Sequence, residues 1–310
     1  MDLTKNIAII DLGTNSVRFE IFHISSNFEI HKVFYMKRMI RLGEGIYSGK
    51  QLQELAVARA EKAFTDFLEE SKNIPIHETL AYATCALRSV NDASAFLARI
   101  YQKFKIQLEV ISGEREALLI GKGIVKNEIM PNHASILIDI GGGSTEFILT
   151  HKNQIIDYCS TELGCNRLWQ RFLQSDLDHT KQTEEMRTYV QETLSNLRRE
   201  RQWPQVRSMI GSSGTVKTIS KVLRKRDKLS SPMLIEDLKD LSRELLPLEK
   251  EEIKEVPGLP ERRVDLIQSG LLVLVEAAKE FEAEVVQSSE FNMRSGMIEW
   301  AVEQSIKRRS

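Results

Sequence analysis

The stretch Asp11-Leu-Gly-Thr-Asn-Ser16 decides the fold, because a close copy, Asp139-Ile-Gly-Gly-Gly-Ser-Thr145, returns about one domain later. An apolar run precedes each copy and a strand-like run follows it: Ile7–Ile10 and Val17–Ile24, then Ile136–Ile138 and Glu146–Thr150. Each unit is therefore predicted to form a strand, a glycine-rich turn and a second strand. A repeat on this scale indicates two related domains with a cleft between them.

Length and composition restrict the class of protein. The 310 residues are long enough for two domains, and 42% apolar residues suffice for full cores. A net charge of −1 excludes a strong basic field over the whole chain, so only a local patch would attract a polyanion. Three cysteines without a CxxC motif predict reduced thiols in a cytoplasmic protein, and the absence of a long apolar run predicts no contact with a membrane.

The sequence pattern also predicts helices and the bounds of the two domains. Leu52, Ala56, Ala60 and Ala63 recur at helical spacing within a predicted helix over residues 51–72. We predict a first domain over residues 1–126 and a second over 127–296. A closing helix, within residues 297–310, is expected to pack back on the first domain.

Three glycine-hydroxyl turns are candidates for phosphate binding. Glycine allows the backbone to approach a ligand closely, and backbone N–H groups then bind its oxygens. A single turn of this kind is better explained as a tight loop, but three turns, two of them copies, favour phosphate. The candidates are Gly13, Thr14, Asn15, Ser16, Gly142, Gly143, Ser144, Thr145, Ser213, Gly214, Thr215 and Lys217. Neither a GxGxxG nor a P-loop motif fits their spacing.

Acidic residues at two of these turns are candidates for a metal site. Asp11 and Asp139 take the same place in the two copies, and Glu146 follows the second turn. Magnesium binds one or two carboxylates together with phosphate oxygens. For each aspartate taken singly, the alternative to metal binding is that its side chain caps the turn.

Two further residues have functional and structural interpretations. Arg88 follows a predicted buried strand, where its guanidinium would bind phosphate or form a surface salt bridge. Glu116 lies in the first turn of a helix that Ser112 caps. A carboxylate there is favoured by the helix dipole, and it is also placed to act as a general base. The basic runs 221–228 and 307–309 would form a solvated face or guide a polyanion. No motif points to nucleic acid.

Seven motifs together resemble the exopolyphosphatase/guanosine pentaphosphate phosphatase (Ppx/GppA) family, which belongs to the superfamily of actin, Hsp70 and sugar kinases. They are IDLGTNSVR, RLGEG, ATCALR, ISGEREA, IDIGGGSTE, GSSGT with Lys217, and RVDLIQSG. They keep the family order over nearly the whole chain. The resemblance implies an α/β fold of two actin-like (ribonuclease H-like) domains, each with a mixed sheet flanked by helices, and an interdomain cleft.

The resemblance also implies residue roles. Glu116 matches the catalytic glutamate that activates water, and Arg88 matches a phosphate-binding arginine. Asp139 and Glu146 match the acidic pair for metal-assisted hydrolysis, with Mg²⁺ as the cofactor and Mn²⁺ as its substitute. A homodimer is implied as well.

One stretch departs from the family pattern. Arg115 stands where the family has a glutamate, and Leu118 where it has an arginine. A glutamate at position 115 would complete a capping box with Ser112. The sequence therefore predicts that Arg115→Glu stabilises the fold by roughly 0.5–1 kcal/mol.

We predict an exopolyphosphatase that releases orthophosphate from the end of inorganic polyphosphate. The close alternative is a preference for guanosine pentaphosphate (pppGpp) or for short-chain polyphosphate. Two different classes of protein also fit the motifs: an ATP-dependent kinase of the same superfamily, and a nucleotide-binding regulator without turnover.

Overall fold

The two copies of the repeated phrase connect the first two strands of two separate sheets. The computed structural model describes residues 4–174, 179–227 and 232–307. Two compact units result, the first formed by Met1–Gly123 with Met293–Ser310 and the second by Ile124–Asn292. The division passes through one helix, which continues beyond Gly123 to Asn127.

The first unit is a mixed sheet with helices. Its elements are β1 Lys5–Leu12, β2 Ser16–Ile24, β3 Ile30–Met39, α1 Ile46–Gly49, α2 Glu54–Glu70, β4 Glu78–Ala83, α3 Cys85–Arg88, α4 Ala93–Phe104, β5 Glu109–Val110 and α5 Gly113–Asn127. In the described ranges the sheet has five strands in the order β3-β2-β1-β4-β5, with β1 antiparallel to β2 and parallel to β4. Aromatic rings from sheet and helix fill the core, where Phe19 stacks on Phe67 at 4.6 Å between ring centroids.

The second unit repeats this topology and extends it. Its elements are β6 Ser135–Ile140, β7 Thr145–His151, β8 Gln154–Thr161, α6 Cys165–Leu168, a π-helical turn Trp169–Leu173, α7 His179–Arg201, β9 Ser208–Gly211, α8 Gly214–Asp227, β10 Met233–Leu234, α9 Ile235–Leu245, α10 Lys250–Lys254, a 3₁₀ segment Glu261–Leu266, α11 Ile267–Glu280 and β11 Val285–Ser288. The described strands follow the order β10-β11-β9-β6-β7-β8. Strands β6 to β8 thus repeat the antiparallel β1-β2-β3 arrangement, and the short β10 is an addition at the edge.

Several elements differ from the sequence predictions. Strand β8 was not predicted, because its half-buried residues alternate polar and apolar side chains only weakly; Cys159 is its buried residue. Ile106, Leu108 and Val110 alternate with polar residues, which predicts a strand over 106–110, but β5 is confined to Glu109–Val110. The predicted helix over residues 51–72 is α2 and begins later, at Glu54.

The closing helix α12, Met293–Lys307, belongs to the first unit. It begins four residues before the predicted start at Met297. Arg294, in its first turn, donates to Asp11 Oδ2 of β1 at 3.0 Å and pairs with Glu20 of β2 at 3.3 Å. The predicted basic residues 308 and 309 lie outside the described residues.

All three cysteines are free and buried. Burial raises the pKa of the Cys165 thiol, so it stays protonated at neutral pH. No helix in the described part of the chain is long and apolar enough to cross a membrane.

Close backbone contact between α12 and α5 yields a stability prediction. A Cβ atom built on Gly296 would lie 1.8 Å from the carbonyl oxygen of Leu119. We expect Gly296→Ala to destabilise the protein by about 1–3 kcal/mol through overpacking, although alanine is the better helix former. Thermal or denaturant unfolding measures this change. Gly49→Ala is the matched control, because nothing lies within 4 Å of its Cβ; equal effects of the two changes would contradict the prediction.

Candidate active site

The two copied turns close with the same backbone hydrogen bond. Gly13 N–H donates to the Ser16 carbonyl at 3.1 Å, and Gly141 N–H donates to the Ser144 carbonyl at 2.9 Å. A Cβ on either glycine would lie 3.3 Å or 3.0 Å from that same carbonyl oxygen. Glycine is therefore favoured at the first position of each turn by close approach of the backbone.

Neighbouring segments bind the carbonyl oxygens of these turns. In the first unit, Gly43 N–H donates to the Thr14 carbonyl at 2.8 Å, and Ile40 and Arg41 N–H donate to Asn15. The loop that carries the RLGEG motif thus supports the first turn. Its backbone contacts give this motif a structural role that the sequence did not reveal.

In the second unit, the start of α6 supports the turn. Asn166 N–H donates to the Gly142 carbonyl at 2.8 Å, and the Arg167 side chain donates to Gly143 at 2.9 Å. A Cβ on Gly164 would lie 2.2 Å from the Gly143 carbonyl carbon, so no side chain fits between the two segments. Hydrogen bonds to its carbonyl groups therefore fix the turn on the side that faces the start of α6.

The N–H groups of the same residues remain available. Within residues 4–174, 179–227 and 232–307, the backbone N–H groups of Thr14, Asn15, Gly142 and Gly143 donate to no acceptor. Successive N–H groups of this kind form anion-binding concavities. Both turns therefore have the chemistry that phosphate recognition requires.

The third turn, between β9 and α8, is a capped helix N-terminus. Ser213 Oγ accepts from the N–H groups of Thr215 and Val216 at 3.2 and 3.1 Å, so Ser213 is the N-cap of α8. The guanidinium of Arg263 lies against the start of this helix, since a Cβ on Gly214 would lie 2.2 Å from Arg263 Nη2. Sequence reasoning missed Arg263, although it lies in the RVDLIQSG motif.

Some predicted phosphate ligands use their hydroxyl groups inside the protein. Thr145 Oγ1 donates to the Leu163 carbonyl at 2.7 Å, and Thr215 Oγ1 donates to the Ile140 carbonyl at 3.0 Å. Both residues are buried. Their contribution to a phosphate site would come from the backbone and not from the side chain.

Arg88 and Glu116 are in direct contact. Arg88 Nη1 donates to Glu116 Oε2 at 2.9 Å and to the Ile111 carbonyl at 2.9 Å. The side chains are 21% and 13% exposed, so the pair is only partly accessible to water. The structure thus brings together a predicted base and a predicted phosphate ligand that are 28 residues apart in sequence.

Arg115 has a structural role that the capping pattern did not predict. Its Nη1 pairs with Glu109 Oε1 at 2.6 Å, and its Nη2 donates to the Tyr82 hydroxyl at 2.9 Å. The guanidinium also lies 5.0 Å from the Tyr82 ring and 6.0 Å from the Trp300 ring. The increase in stability expected for Arg115→Glu came only from completing the capping box with Ser112. Ser112 Oγ already accepts from the Arg115 N–H at 3.2 Å without a capping box.

The two aspartates differ in their surroundings. Asp139 pairs in register with Glu146 across β6 and β7, whereas Asp11 pairs in register with Arg18 across β1 and β2. Ser212 donates a short hydrogen bond to Asp139, and Ser160 donates to the buried Glu146 at 2.8 Å. The second unit therefore presents two carboxylates where the first presents a carboxylate and a guanidinium.

Asp11 is already surrounded by positive charge. Arg18 Nη1 and Arg294 Nη1 lie 3.3 and 3.0 Å from Asp11 Oδ2. Burial lowers the pKa of Arg294, but the charges of Asp11 and Glu20 outweigh it and the net shift is upward, so the guanidinium stays charged. These contacts disfavour a cation at Asp11, and we leave it out of the proposed metal site.

The pair Asp139 and Glu146 suits magnesium by donor chemistry. Oxygen ligands from one or two carboxylates are what Mg²⁺ takes from a protein when phosphate and water complete its shell. The described residues contain no group of three or more His, Cys, Asp or Glu side chains able to hold a metal ion. Because one or two carboxylates leave the rest of the magnesium shell to phosphate and water, we expect the ion to bind here together with the phosphate ligand.

Comparison with known proteins identifies the family. A model of the Ppx/GppA phosphatase family matches residues 21–304, and the chain belongs to that family. Exopolyphosphatase 2 of Mycobacterium tuberculosis is 29% identical over 90% of this chain and 92% of its own length. An exopolyphosphatase crystal structure from Cytophaga hutchinsonii has a TM-score of 0.87 at 28% identity, covering 97% of this chain and 98% of its own.

The Aquifex aeolicus member of the family shares the fold, with a TM-score of 0.78 at 20% identity over 99% of both chains. The predicted fold class, two actin-like domains of mixed sheet flanked by helices, is confirmed. The predicted enzyme class, a phosphatase of the type that hydrolyses phosphoanhydride bonds, is confirmed as well.

The contacts of Arg115 reverse the prediction made from the sequence. We expect Arg115→Glu to destabilise the protein by about 1–2 kcal/mol, because it removes an ion pair and a cation–π contact and places a carboxylate beside Glu109. Thermal unfolding measures the change, with Arg115→Lys as the control that keeps the charge. A higher melting temperature for Arg115→Glu would restore the capping argument.

Proposed function

We propose that this member of the Ppx/GppA phosphatase family is an exopolyphosphatase, which uses Mg²⁺ to remove the terminal phosphoryl group of inorganic polyphosphate as orthophosphate. The observation that carries the proposal is the contact between Arg88 and Glu116 in a chain whose glycine-rich turns keep their N–H donors available. The names of the relatives in M. tuberculosis and C. hutchinsonii support the same substrate.

Glu116 is the proposed general base. Its carboxylate accepts a proton from the attacking water, and Arg88 holds that carboxylate in place through a hydrogen bond from Nη1. A guanidinium also has the planar set of N–H donors that suits phosphate oxygens, so a phosphoryl group would compete for Arg88. One residue would thereby align the base and the phosphoryl group that the water attacks.

Most of the rate enhancement must come from groups other than the general base. General-base catalysis contributes about 10²–10⁴-fold, roughly 3–5 kcal/mol, whereas enzymes lower the barrier by about 8–23 kcal/mol in total. The remainder must come from groups that stabilise charge on the transferring phosphoryl group. We assign this stabilisation to the backbone N–H groups of Gly142 and Gly143 and to the guanidinium of Arg88.

Asp139 and Glu146 would hold the magnesium ion. When bound, Mg²⁺ neutralises charge on phosphate oxygens and favours departure of the leaving phosphate. The two carboxylates face the same side of the β6-β7 pair, because directly opposed residues of antiparallel strands do so. Ser160 and Ser212 orient them by hydrogen bonds.

Guanosine pentaphosphate is the alternative substrate, because the resemblance to the exopolyphosphatase/guanosine pentaphosphate phosphatase family implies either activity. Cytoplasmic location and a homodimer, expected from the cysteines and the resemblance, remain part of the proposal.

A parallel substrate assay tests the proposed function. Long polyphosphate, tripolyphosphate, guanosine pentaphosphate and ATP are each incubated with Mg²⁺ or with EDTA, and released orthophosphate is measured. We expect the highest kcat/KM on polyphosphate and no release in EDTA. Preference for guanosine pentaphosphate would select the alternative substrate, phosphate transfer only to an added acceptor would indicate a kinase, and binding without turnover would indicate a regulator.

A single substitution tests the base. We expect Glu116→Gln to lower turnover on polyphosphate at least a hundredfold with KM little changed, because the amide cannot accept the proton of water. Glu114→Gln is the matched control, since Glu114 is an exposed carboxylate in the same first turn of α5. Steady-state kinetics on both variants decide the point. Near-normal turnover of Glu116→Gln would remove Glu116 from the role of base.

A further inference from the structure

Helix α8 carries a line of basic side chains that starts beside the third glycine-rich turn. Lys217, Lys221, Arg224 and Lys225 are separated by four, three and one residues. Positions that differ by four, seven and eight residues lie on one face of an α-helix. We name these four residues the α8 basic stripe. Lys228 would continue it but lies outside the described residues.

Three members of the stripe lack a counter-charge. Lys221, Arg224 and Lys225 are exposed, and in residues 4–174, 179–227 and 232–307 none of them forms an ion pair or a side-chain hydrogen bond. Arg226, the next residue along the helix, pairs with Glu244 at 2.8 Å. The structure therefore neutralises a guanidinium beside the stripe and leaves the outer stripe positive.

The fourth member, Lys217, is held by a pair that an anion can displace. Its Nζ lies 2.6 Å from Glu290 Oε2, with side chains 33% and 84% exposed. Exposed ion pairs add little to stability, because water and salt screen both charges. A multiply charged phosphate at the start of α8 would compete effectively for Lys217.

Helix stability does not explain the whole stripe. Positive charge near the last turn of a helix is favoured by the dipole, which accounts for Arg224 and Lys225. At the first turn the same dipole disfavours a cation, and Lys217 lies there. A bound anion at the helix N-terminus removes this penalty, since the N–H groups and Lys217 then share one ligand.

We propose that the α8 basic stripe binds the polyphosphate chain beyond the phosphates held at the Gly211–Thr215 turn, and so makes the enzyme prefer long chains. This proposal rests on the proposed function. Lys217 and Lys225 are about 12 Å apart along the axis, because each residue of an α-helix rises about 1.5 Å. The stripe thus extends over several phosphoryl groups. Because the net charge of the chain is only −1, a local basic patch is needed to attract a polyanion.

The turn at Gly258 restricts the outer end of the stripe. Gly258 has a φ of +90°, and a Cβ there would lie 3.1 Å from Lys225 Cγ and 3.3 Å from the Lys221 carbonyl oxygen. The segment before the 3₁₀ turn therefore touches the aliphatic stem of Lys225 and leaves its ammonium group at the surface, an arrangement common for lysine.

The test compares substrates of different length. The test variant is the triple substitution Lys221→Gln/Arg224→Gln/Lys225→Gln. Each glutamine keeps part of the aliphatic side chain and removes the positive charge. We expect KM for long polyphosphate to rise at least tenfold, and kcat/KM for tripolyphosphate to stay within twofold of wild type. The slope of log KM against log salt for the long chain should fall by about 2, since each lost phosphate contact removes roughly 0.7.

Controls separate the possible outcomes. Lys152→Gln/Arg199→Gln/Arg207→Gln removes the same number of exposed positive charges elsewhere in the second unit and should leave both substrates unaffected. A melting temperature near that of wild type shows that the stripe variant is folded. Equal loss on long and short chains, no loss on either, or equal loss in the control variant would each overturn the proposal.

Two further results have defined meanings. Stronger inhibition by a single-stranded RNA oligonucleotide than by polyphosphate of equal charge would assign the stripe to nucleic acid and overturn the proposal. Failure of the wild-type enzyme to release phosphate from any polyphosphate would overturn the proposed function itself, which is a different result from an unchanged length preference.

Discussion

The orientation of the peptide groups in the two copied turns is the constraint on which the candidate site depends. Each turn closes by a glycine N–H donating to a serine carbonyl three residues later, and a neighbouring segment binds two or more further carbonyl groups of each turn. Because every peptide carries one donor and one acceptor, binding the acceptors from behind leaves the donors directed away from that support. An anion bound at Gly142 and Gly143 would therefore need no side chain for its recognition.

The same hairpin carries a different charge pattern in the two units. Seven residues after the aspartate, the first unit has Arg18 and the second has Glu146. Arginine neutralises Asp11, and Arg294 adds a second guanidinium that ties α12 to the sheet. Glutamate instead creates a pair of carboxylates with the oxygen chemistry that magnesium prefers. The two units thus share one hairpin geometry, and this cross-strand pair gives each hairpin a different charge.

Arg115 shows how a local rule fails when tertiary contacts compete with it. The capping-box pattern concerns only residues 112–115, within which a glutamate is favourable. In the folded unit, position 115 lies beside Tyr82, Glu109 and Trp300, which come from three other elements. An arginine satisfies an acid and two aromatic rings at once, and none of these neighbours can be deduced from the helix itself.

The sequence by itself determined the repeated strand-turn-strand units, the helix that begins at Gly113 with its Ser112 cap, and the residue types of a phosphate enzyme, because glycine placement and apolar periodicity act over short distances along the chain. Only the tertiary structure decided which groups meet. It joined Arg88 to Glu116, placed Arg263 at the start of α8, engaged the hydroxyls of Thr145 and Thr215 in the interior, and surrounded Asp11 with guanidinium groups. Such contacts connect residues far apart in sequence, and they depend on strand register and helix packing that no local pattern specifies.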